Sequence, residues 1–333
     1  MLKILSTMIP FSFLFVFLIS GCSENSPESS NNKVIRVSNL SYIANDTITK
    51  HKLDVYYKEG TKSNKVVFFI PGGAWRQGDK DKYQTLGLTL ASKFNYTVFV
   101  INYRLSNPED GNAIHPIHIE DVATALKWVL TNIDIYHGDK ENIYIFGQSA
   151  GAHLATLLVS DEKYLNHEGI KVADIKGVIA MSGAYSLNNL LTFPKNPLGL
   201  NAEETLMYKG IIVNAFGTLD SELLAQASPS NFASNSMPPF LLIYSEYDMP
   251  GFDKDAVLYH NNLIQFGNNN ISINMLYKTD YSEQTWLTAT SLASEEPALS
   301  DYIGHYAEVV AINDIDFDKY PTRWISDFIN KKF

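Results

Sequence analysis

Nearly continuous apolar runs alternate with amphipathic segments along most of the chain. Residues 66–70 and 97–101 are apolar at almost every position, as expected of strands that are buried on both faces of a parallel sheet. Less regular runs predict further strands at residues 34–37, 52–57, 143–146, 178–181, 240–244 and 271–277. Apolar residues at helical spacing predict helices at residues 83–94, 119–130, 150–159 and 256–264. The alternation predicts an α/β fold, with the first two strands antiparallel at the edge of a mostly parallel sheet and helices on both faces.

Two long intervals contain no clear strand. Residues 187–237 lie between two predicted central strands, and we expect them to form a small cap over a functional site. Residues 279–301 have an irregular pattern and are predicted to form an inserted loop. Long loops in compact domains are usually functional or mobile, so both intervals are expected to border the site.

The first 22 residues differ from the rest of the chain. Lys3 precedes an apolar stretch at residues 11–19, and Ser20 and Gly21 stand directly before Cys22. A positive start, an apolar stretch and small residues before a cleavage point are typical of a secretory signal. The stretch is short for a membrane-spanning helix.

Leu18-Ile19-Ser20-Gly21-Cys22 resembles the lipobox of bacterial lipoproteins, in which the cysteine becomes the first mature residue and carries the lipid. Cys22 is the only cysteine of the chain, so a disulfide within the chain is impossible. The resemblance implies a signal peptide at residues 1–21, lipid attachment at Cys22 and an extracytoplasmic protein anchored to a bacterial membrane. Residues 22–32 are predicted to be a flexible tether to a domain at residues 33–333. The alternative is a plain signal peptide with an incidental cysteine.

Charge and motif content exclude several classes of function. The formal net charge of −10 argues against a nucleic-acid partner, because such binding needs clustered Lys and Arg to neutralise phosphates. The sequence contains no H-E-x-x-H pattern and no G-x-G-x-x-G after a predicted strand, so neither a metal nor a dinucleotide cofactor is predicted.

The strongest chemical signal is Gly147-Gln148-Ser149-Ala150-Gly151, which fits G-x-S-x-G between a predicted strand and a predicted helix. A sharp strand-to-helix turn forces a strained backbone at Ser149, and small neighbours permit it. The Ser149 hydroxyl would then project near a helix N-terminus, where developing negative charge is favoured. Ser149 is therefore the predicted nucleophile, and the alternative is a plain tight turn.

A second glycine-rich motif, Pro71-Gly72-Gly73-Ala74-Trp75, follows the buried strand at residues 66–70. Together with Asn102-Tyr103-Arg104-Leu105 and the Ser149 motif, it resembles the esterase and lipase branch of the α/β-hydrolases that has a His-Gly-Gly-x-Trp oxyanion loop. That branch includes hormone-sensitive-lipase-like esterases, arylformamidases and esterases of plant polysaccharides.

The resemblance implies that the backbone N–H groups of Gly73, Ala74 and Ala150 form an oxyanion hole. Each such donor is worth roughly 3 kcal/mol of transition-state stabilisation. The chain departs from the family at Pro71, where a histidine is usual. Proline has no imidazole to brace the loop, so the bracing of this loop is an open question. The alternative is an ordinary glycine-rich turn.

The acid and the base should follow the nucleophile in chain order. Asp248, after the predicted strand at residues 240–244, falls on the acid position of the family, and Glu246 and Asp253 are its rivals. His305 follows the acid and is predicted to lie in a loop ahead of a helix, where it would act as general base. The alternative base is His260, inside a predicted helix.

These residues predict a serine ester hydrolase that forms an acyl-enzyme on small or medium carboxylic esters and needs no cofactor. The resemblance suggests acetyl or feruloyl esters of polysaccharides as substrates, and Trp75 and Trp286 are candidate lining residues. Two alternatives remain: an arylformamidase-like amide hydrolase, and a surface binding module of weak activity on the same fold. The predicted partners are thus a small-molecule or polysaccharide ester and, through the N-terminal lipid, the membrane.

Overall fold

The computed structural model describes residues 33–63, 65–192, 202–294, 302–312 and 321–331. The predicted signal peptide, Cys22 and the tether lie outside the described residues, as do parts of the two intervals without predicted strands. Among the helices of the described ranges, none has both the length and the apolar character needed to cross a membrane.

Eight strands form one sheet in the spatial order β1-β2-β4-β3-β5-β6-β7-β8. They are β1 Val34–Ser41, β2 Lys52–Lys58, β3 Val66–Ile70, β4 Thr97–Ile101, β5 Ile143–Gln148, β6 Ile175–Met181, β7 Phe240–Ser245 and β8 Ile271–Leu276. The first strand pairs antiparallel with the second, and the second pairs antiparallel with β4. All other pairs are parallel, so the predicted mixed sheet with an antiparallel edge is confirmed.

Helices cover both faces of this sheet. They are α1 Gln84–Phe94, α2 Ile117–Asn132, α3 Ala150–Ser160, α4 Lys163–His167, α5 Leu187–Thr192, α6 Ala202–Phe216, α7 Ser221–Gln226, α8 Phe252–Gln265, α9 Glu283–Ser294, α10 Ile303–Ile312 and α11 Thr322–Ile329. One core lies between the sheet and helices α2, α3 and α8, and the other lies between the sheet and α1, α10 and α11.

Strand β3 shows why the central runs are apolar at every position. Val66, Phe68 and Ile70 belong to the first core, whereas Val67 and Phe69 belong to the second. Successive side chains of a strand point to opposite faces, so a strand with a core on each side has no polar face. The sequence pattern is thus a direct consequence of the two helical layers.

Two sequence-based expectations near the C-terminus were wrong. Residues 279–301 are not simply an inserted loop, because Glu283–Ser294 form helix α9, which packs Ala289 against the second core. His305 does not lie in a loop, since it stands in the first turn of α10. The interval at residues 187–237 contains no strand in its described part and supplies α5, α6 and α7.

Candidate active site

Ser149 occupies the sharp turn between β5 and α3. Its backbone has φ 56° and ψ −122°, a region that costs an L-residue roughly 1–3 kcal/mol. The Ser149 N–H donates to the Met181 carbonyl at 2.8 Å, which helps to fix the turn. A Cβ on Gly147 would lie 2.1 Å from the Gly151 carbonyl oxygen, so a glycine is required for the strand and helix to meet this closely.

The Gly72–Ala74 loop lies against this turn. A Cβ on Gly72 would lie 3.0 Å from the Ser149 Cβ, and Gly73 and Ala74 have φ values of 123° and 51°. Among the described residues, the N–H groups of Gly73, Ala74 and Ala150 have no hydrogen-bond acceptor. The loop and the first residue of α3 therefore offer donors beside the serine.

Two buried tyrosines brace this loop where the resembling family has a histidine. The Tyr103 hydroxyl donates to the Pro71 carbonyl at 3.0 Å, and the Gly72 N–H donates to the Tyr83 hydroxyl at 3.4 Å. Burial raises the pKa of Tyr83 to about 12 and that of Tyr103 further, so both hydroxyls stay protonated at neutral pH. Both hydrogen bonds join a tyrosine hydroxyl to a backbone atom of the loop, so neither depends on the side chain of Pro71. The two tyrosines brace the loop in place of an imidazole.

Trp75 packs inside the protein and contributes little to an open surface. It is 5% exposed, its ring meets Phe216 edge-on at 5.0 Å, and its Nε1–H donates to His153 Nδ1 at 3.3 Å. His153 Nε2 then donates to the Ala227 carbonyl at 2.8 Å. Trp75 thus ties the loop to α3 and to the segment after α7.

A chain of hydrogen bonds joins Ser149, His305 and Asp248. His305 Nε2 lies 3.0 Å from the Ser149 Oγ, and His305 Nδ1 lies 2.7 Å from Asp248 Oδ1. A proton on Nδ1 satisfies the carboxylate and leaves Nε2 free to accept from the serine hydroxyl. The Met249 N–H also donates to Asp248 Oδ1 at 2.7 Å, which holds the carboxylate in place.

Close packing of α10 on the turn after β7 brings His305 to Asp248. A Cβ on Gly304 would lie 2.4 Å from the Ser245 Oγ and 2.8 Å from the Tyr247 carbonyl, so the residue before His305 has no room for a side chain. This close approach explains how a histidine on a helix reaches the acid across 57 residues of sequence.

The rival candidates lie elsewhere. The Glu246 carboxylate accepts the Lys278 N–H at 2.9 Å, and His260 is engaged with Asn261 on an exposed part of α8. Asp253 lies in the first turn of α8. The structure therefore brings Ser149, Asp248 and His305 together and brings none of these three rivals into the chain of hydrogen bonds.

The cap and α9 border the site through aromatic residues. Phe252, the first residue of α8, meets the His305 ring edge-on at 5.7 Å. Tyr208 of α6, in the cap, donates from its hydroxyl to the Pro250 carbonyl at 2.9 Å. Trp286 of α9 contacts Tyr247 at 5.6 Å, next to Asp248. The prediction that both intervals border the site agrees with these contacts.

Ser182 and Glu308 also adjoin the acid, and the sequence motifs did not point to them. The Ser182 hydroxyl lies within hydrogen-bond reach of Asp248 Oδ2 and is 2.5 Å from Glu308 Oε2. A detectable signal existed, since Glu308 is the single acidic residue of helix α10 and stands one turn after His305. Within the described ranges, Asp248, His305 and Glu308 are the one set of three or more His and acidic groups whose ligand atoms converge within 4.8 Å, and hydrogen bonds already engage all three.

A polar groove of about 410 Å³ opens beside the far end of the Gly72–Ala74 loop. Its lining residues are Thr49, Lys50, Arg76, Gln77, Gly78, Leu105, Asn107, Glu109 and Asp110. Arg76 and Gln77 donate from their N–H groups to the Gly73 carbonyl, so the wall of the groove and the oxyanion loop are one continuous turn.

Curated relatives with a similar sequence are esterases. The chain is 31% identical over 214 residues to the isoprenylcysteine alpha-carbonyl methylesterase ICME of Arabidopsis thaliana, which covers 60% of this chain and 47% of the relative. It is 29% identical over 203 residues to esterase LipC of Mycobacterium tuberculosis, covering 59% and 48% respectively. The chain thus spans about half the length of these relatives.

Solved structures of esterases share the fold. Esterase B from Lactobacillus rhamnosis, inhibited by a C6-C4 SN3 compound, superposes with a TM-score of 0.63 at 19% identity over 90% of this chain and 88% of that one. A bifunctional GH43-CE protein from Bacteroides eggerthii superposes with a TM-score of 0.59 at 21% identity over 83% of this chain and 35% of that one. These likenesses establish the α/β-hydrolase fold.

The family follows from a match that covers more than half of the chain. Residues 53–260 fit the model of the BD-FAE family. The matched segment contains the turn at Ser149, the Gly72–Ala74 loop and Asp248, whereas His305 lies beyond it. By this match the chain belongs to the BD-FAE family, a family of carboxylesterases in the α/β-hydrolase superfamily.

Proposed function

We propose that this protein is a carboxylic ester hydrolase in which Ser149 is the nucleophile, His305 the general base and Asp248 the acid. The observation that carries the proposal is the chain of hydrogen bonds from Ser149 through His305 to Asp248, with distances of 3.0 Å and 2.7 Å. The strained backbone of Ser149 supports the same assignment, because strain of this kind clusters at functional sites.

In the first half of the reaction, the Ser149 Oγ attacks the carbonyl carbon of the ester. His305 Nε2 takes the hydroxyl proton and then gives it to the leaving alcohol, and an acyl-enzyme remains on Ser149. Asp248 keeps the Nδ1 proton of His305 in place and stabilises the imidazolium that forms. In the second half, His305 takes a proton from a water molecule, which attacks the acyl carbon. The bond to Ser149 Oγ then breaks, the serine regains its proton from His305, and the carboxylic acid product leaves.

The negative charge on the carbonyl oxygen needs donors that already point at it. The N–H groups of Gly73, Ala74 and Ala150 are the ones that the Gly72–Ala74 loop and the start of α3 offer. The positive end of the α3 dipole adds to their effect. Pre-positioned donors cost no reorganisation during the reaction, and loss of one typically slows kcat by about a hundredfold or more.

The direct test is turnover of p-nitrophenyl acetate and butyrate by residues 33–333. Ser149→Ala should lower kcat by about four orders of magnitude or more. A fluorophosphonate should label the wild type and leave Ser149→Ala unlabelled. Ser160→Ala is a matched control, because Ser160 lies at the other end of α3 with its hydroxyl bonded to the Thr156 carbonyl. Equal turnover by wild type and Ser149→Ala would overturn the proposal.

For the substrate class, we propose esters of acetyl or feruloyl groups on a polysaccharide. The polar groove beside the oxyanion loop supports this choice, since amide, carboxylate and guanidinium groups line it and can pair with sugar hydroxyls. The GH43-CE structure, a neighbour in fold alone, is compatible with this choice.

Variants in the groove separate saccharide binding from chemistry. Arg76→Ala and Glu109→Ala should raise KM for acetylated or feruloylated xylan about tenfold and leave p-nitrophenyl acetate kinetics unchanged, because a single hydrogen bond to a charged group is worth about 1.5 kcal/mol. Arg323→Ala, which removes an exposed arginine from α11, is the matched control. If the groove variants change KM for acylated xylan and for p-nitrophenyl acetate by the same factor, the groove does not bind the sugar.

An amide hydrolase of the arylformamidase type is the second candidate activity, supported by the motifs shared with that branch. N-formylkynurenine distinguishes the two, because a formamidase would hydrolyse it faster than any acylated saccharide. A weakly active binding module would bind saccharide, but its turnover of p-nitrophenyl esters would be equally low in the wild type and in Ser149→Ala.

We also propose that the mature protein is a lipoprotein modified at Cys22, with residues 22–32 as the tether and an extracytoplasmic location. The pattern Leu18-Ile19-Ser20-Gly21-Cys22 supports this. Metabolic labelling with an alkyne fatty acid should tag the full chain and spare Cys22→Ser. Secretion of an unlabelled wild-type protein into the medium would instead favour a plain signal peptide.

A further inference from the structure

We propose that Ser182 and Glu308 are positioning residues of the active site, which deliver a hydrogen bond to Asp248 on the carboxylate oxygen that does not face His305. The inference rests on the catalytic roles proposed above. Asp248 uses Oδ1 for His305 and for the Met249 N–H. Its Oδ2 takes the Ser182 hydroxyl and, at 3.3 Å, the Ser245 N–H.

The geometry fixes how many protons the side chains of Ser182, Asp248 and Glu308 share. The Ser182 hydroxyl carries one hydrogen, yet it contacts a carboxyl oxygen of Asp248 and, at 2.5 Å, a carboxyl oxygen of Glu308. If Ser182 donates to Asp248, its oxygen can only accept at the other contact. One of the two carboxyl groups must therefore be protonated for both contacts to be hydrogen bonds.

Burial identifies Glu308 as the group that holds the proton. Glu308 is 0% exposed, and its Oε1 has no hydrogen-bond partner among the described residues. Asp248, in contrast, accepts two backbone N–H groups and the imidazole. An ionised carboxylate with an unpaired oxygen in a dry site is costly, so the charge resides on Asp248 and the proton on Glu308.

The surroundings of Glu308 agree with this assignment. Burial, with the nearby charge of Asp248 as the second cause, raises the pKa of Glu308 well above its usual value. The titratable groups that face it include Asp248 from the turn after β7, His305 from its own helix and Tyr281 from the segment before α9. Tyr281 stays neutral because burial raises its pKa well above the usual value.

The backbone places Ser182 for this role. Ser182 directly follows β6 and has a φ of 49°, in the left-handed region that a serine rarely adopts. Its N–H donates to the Ile243 carbonyl of β7 at 2.7 Å, which anchors the residue beside the turn that carries Asp248. The result is a relay in which Glu308 donates to Ser182 and Ser182 donates to Asp248.

The consequence for catalysis is orientation of the carboxylate. With Oδ2 held by Ser182, the other oxygen of Asp248 stays directed at His305 Nδ1, as the imidazolium requires. A glutamate that lost its proton would place a second negative charge next to this pair and would turn the Ser182 hydroxyl away from Asp248. The relay therefore works only while Glu308 is neutral.

The test compares Glu308→Gln, a neutral isostere that can still donate, with Glu308→Ala and Ser182→Ala. Glu308→Gln should keep kcat within about threefold of the wild type, whereas Glu308→Ala and Ser182→Ala should lower kcat about tenfold or more with little change in KM. The double variant Ser182→Ala/Glu308→Gln should match Ser182→Ala, because the relay ends at the missing hydroxyl.

Two spectroscopic readouts do not depend on turnover, so they separate this inference from the proposed activity. At pH 8, where the buried Asp255 is ionised, the infrared band of a protonated carboxyl should be present in Ser149→Ala and absent from Ser149→Ala/Glu308→Gln. The downfield proton resonance of His305 Nδ1–H should move in Ser182→Ala and stay in place in Glu308→Gln. Retention of the infrared band in Glu308→Gln, or equal loss of kcat in Glu308→Gln and Glu308→Ala, would overturn the inference even if Ser149→Ala confirms the hydrolase.

Discussion

At the scale of single residues, Tyr103 has the clearest measurable role. Its hydroxyl donates to the buried Pro71 carbonyl, and the proline has no imidazole with which to brace the loop. Tyr103→Phe should lower kcat about three- to tenfold with little change in KM, since a buried carbonyl left without a partner costs about 1–3 kcal/mol and the hydroxyl itself does not face substrate. Steady-state kinetics with p-nitrophenyl butyrate measure this split.

The matched control is Tyr144→Phe. Tyr144 is a buried tyrosine of β5 whose hydroxyl has no hydrogen-bond partner among the described residues. Its replacement should leave kcat unchanged and the melting temperature equal or slightly higher. If Tyr103→Phe behaved like this control, the bond from Gly72 to Tyr83 alone would suffice to hold the loop.

At the scale of elements, Asp255 joins α8 to the segment after β6 and to the first helix of the cap, α5. This residue of α8 accepts the Tyr185 N–H at 2.6 Å, the Ser186 N–H at 2.9 Å and the Asn189 Nδ2–H at 3.2 Å. Burial raises its pKa from 3.8 to about 6, against the opposing effect of these three donors. Between these two pH values the folded state holds a proton that the unfolded chain has lost, so the free energy of unfolding falls as the pH rises.

Asp255→Asn removes this titration. The full shift is worth about 3 kcal/mol, at roughly 1.4 kcal/mol for each pH unit. The stability of Asp255→Asn relative to the wild type should therefore increase by about 2.4 kcal/mol between pH 4 and pH 7. Urea unfolding at several pH values measures the difference. Asn189→Ala, which removes one donor and keeps the carboxyl, should retain the pH slope of the wild type. If the difference in unfolding free energy between Asp255→Asn and the wild type did not vary with pH, the raised pKa of Asp255 would be contradicted.

The elements that the sequence could predict are those whose local pattern matches their environment. Strand β3 is apolar throughout because it has a core on each face, and the pattern alone indicates a buried strand. The sequence pattern does not predict helix α9, because threonine and serine weaken its helical signal, and the helix is stabilised by packing Ala289 into the second core. Tertiary packing overrode a weak local preference there.

The same distinction applies to the candidate site. The turn at Ser149 depends on adjacent glycines, so a short motif reveals it. The contact between Ser182, Asp248 and Glu308 joins residues 66 and 126 positions apart, and no local pattern encodes it. His305 could be predicted by chain order, yet its approach to Asp248 from a helix depends on the absence of a side chain at Gly304.

At the scale of the whole molecule, buried histidines make the fold sensitive to acid. Burial lowers the pKa of His118 to about 4 and that of His153 to about 3, and both side chains are 0% exposed. In the unfolded chain these groups bind protons below about pH 6.5. The unfolded state therefore binds more protons in this range, and the free energy of unfolding falls as the pH drops.

His153 also connects this acid sensitivity to the active site, because its unprotonated Nδ1 accepts the Trp75 Nε1–H and Trp75 belongs to the oxyanion loop. His153→Gln keeps an acceptor and a donor but does not titrate. Relative to the wild type it should gain about 2 kcal/mol of unfolding free energy between pH 8 and pH 5. Comparison at each pH cancels the opposing contributions of Asp255 and Glu308, and urea unfolding of both proteins provides the measurement. A constant difference between the two proteins across this range would show that His153 does not become protonated when the chain unfolds.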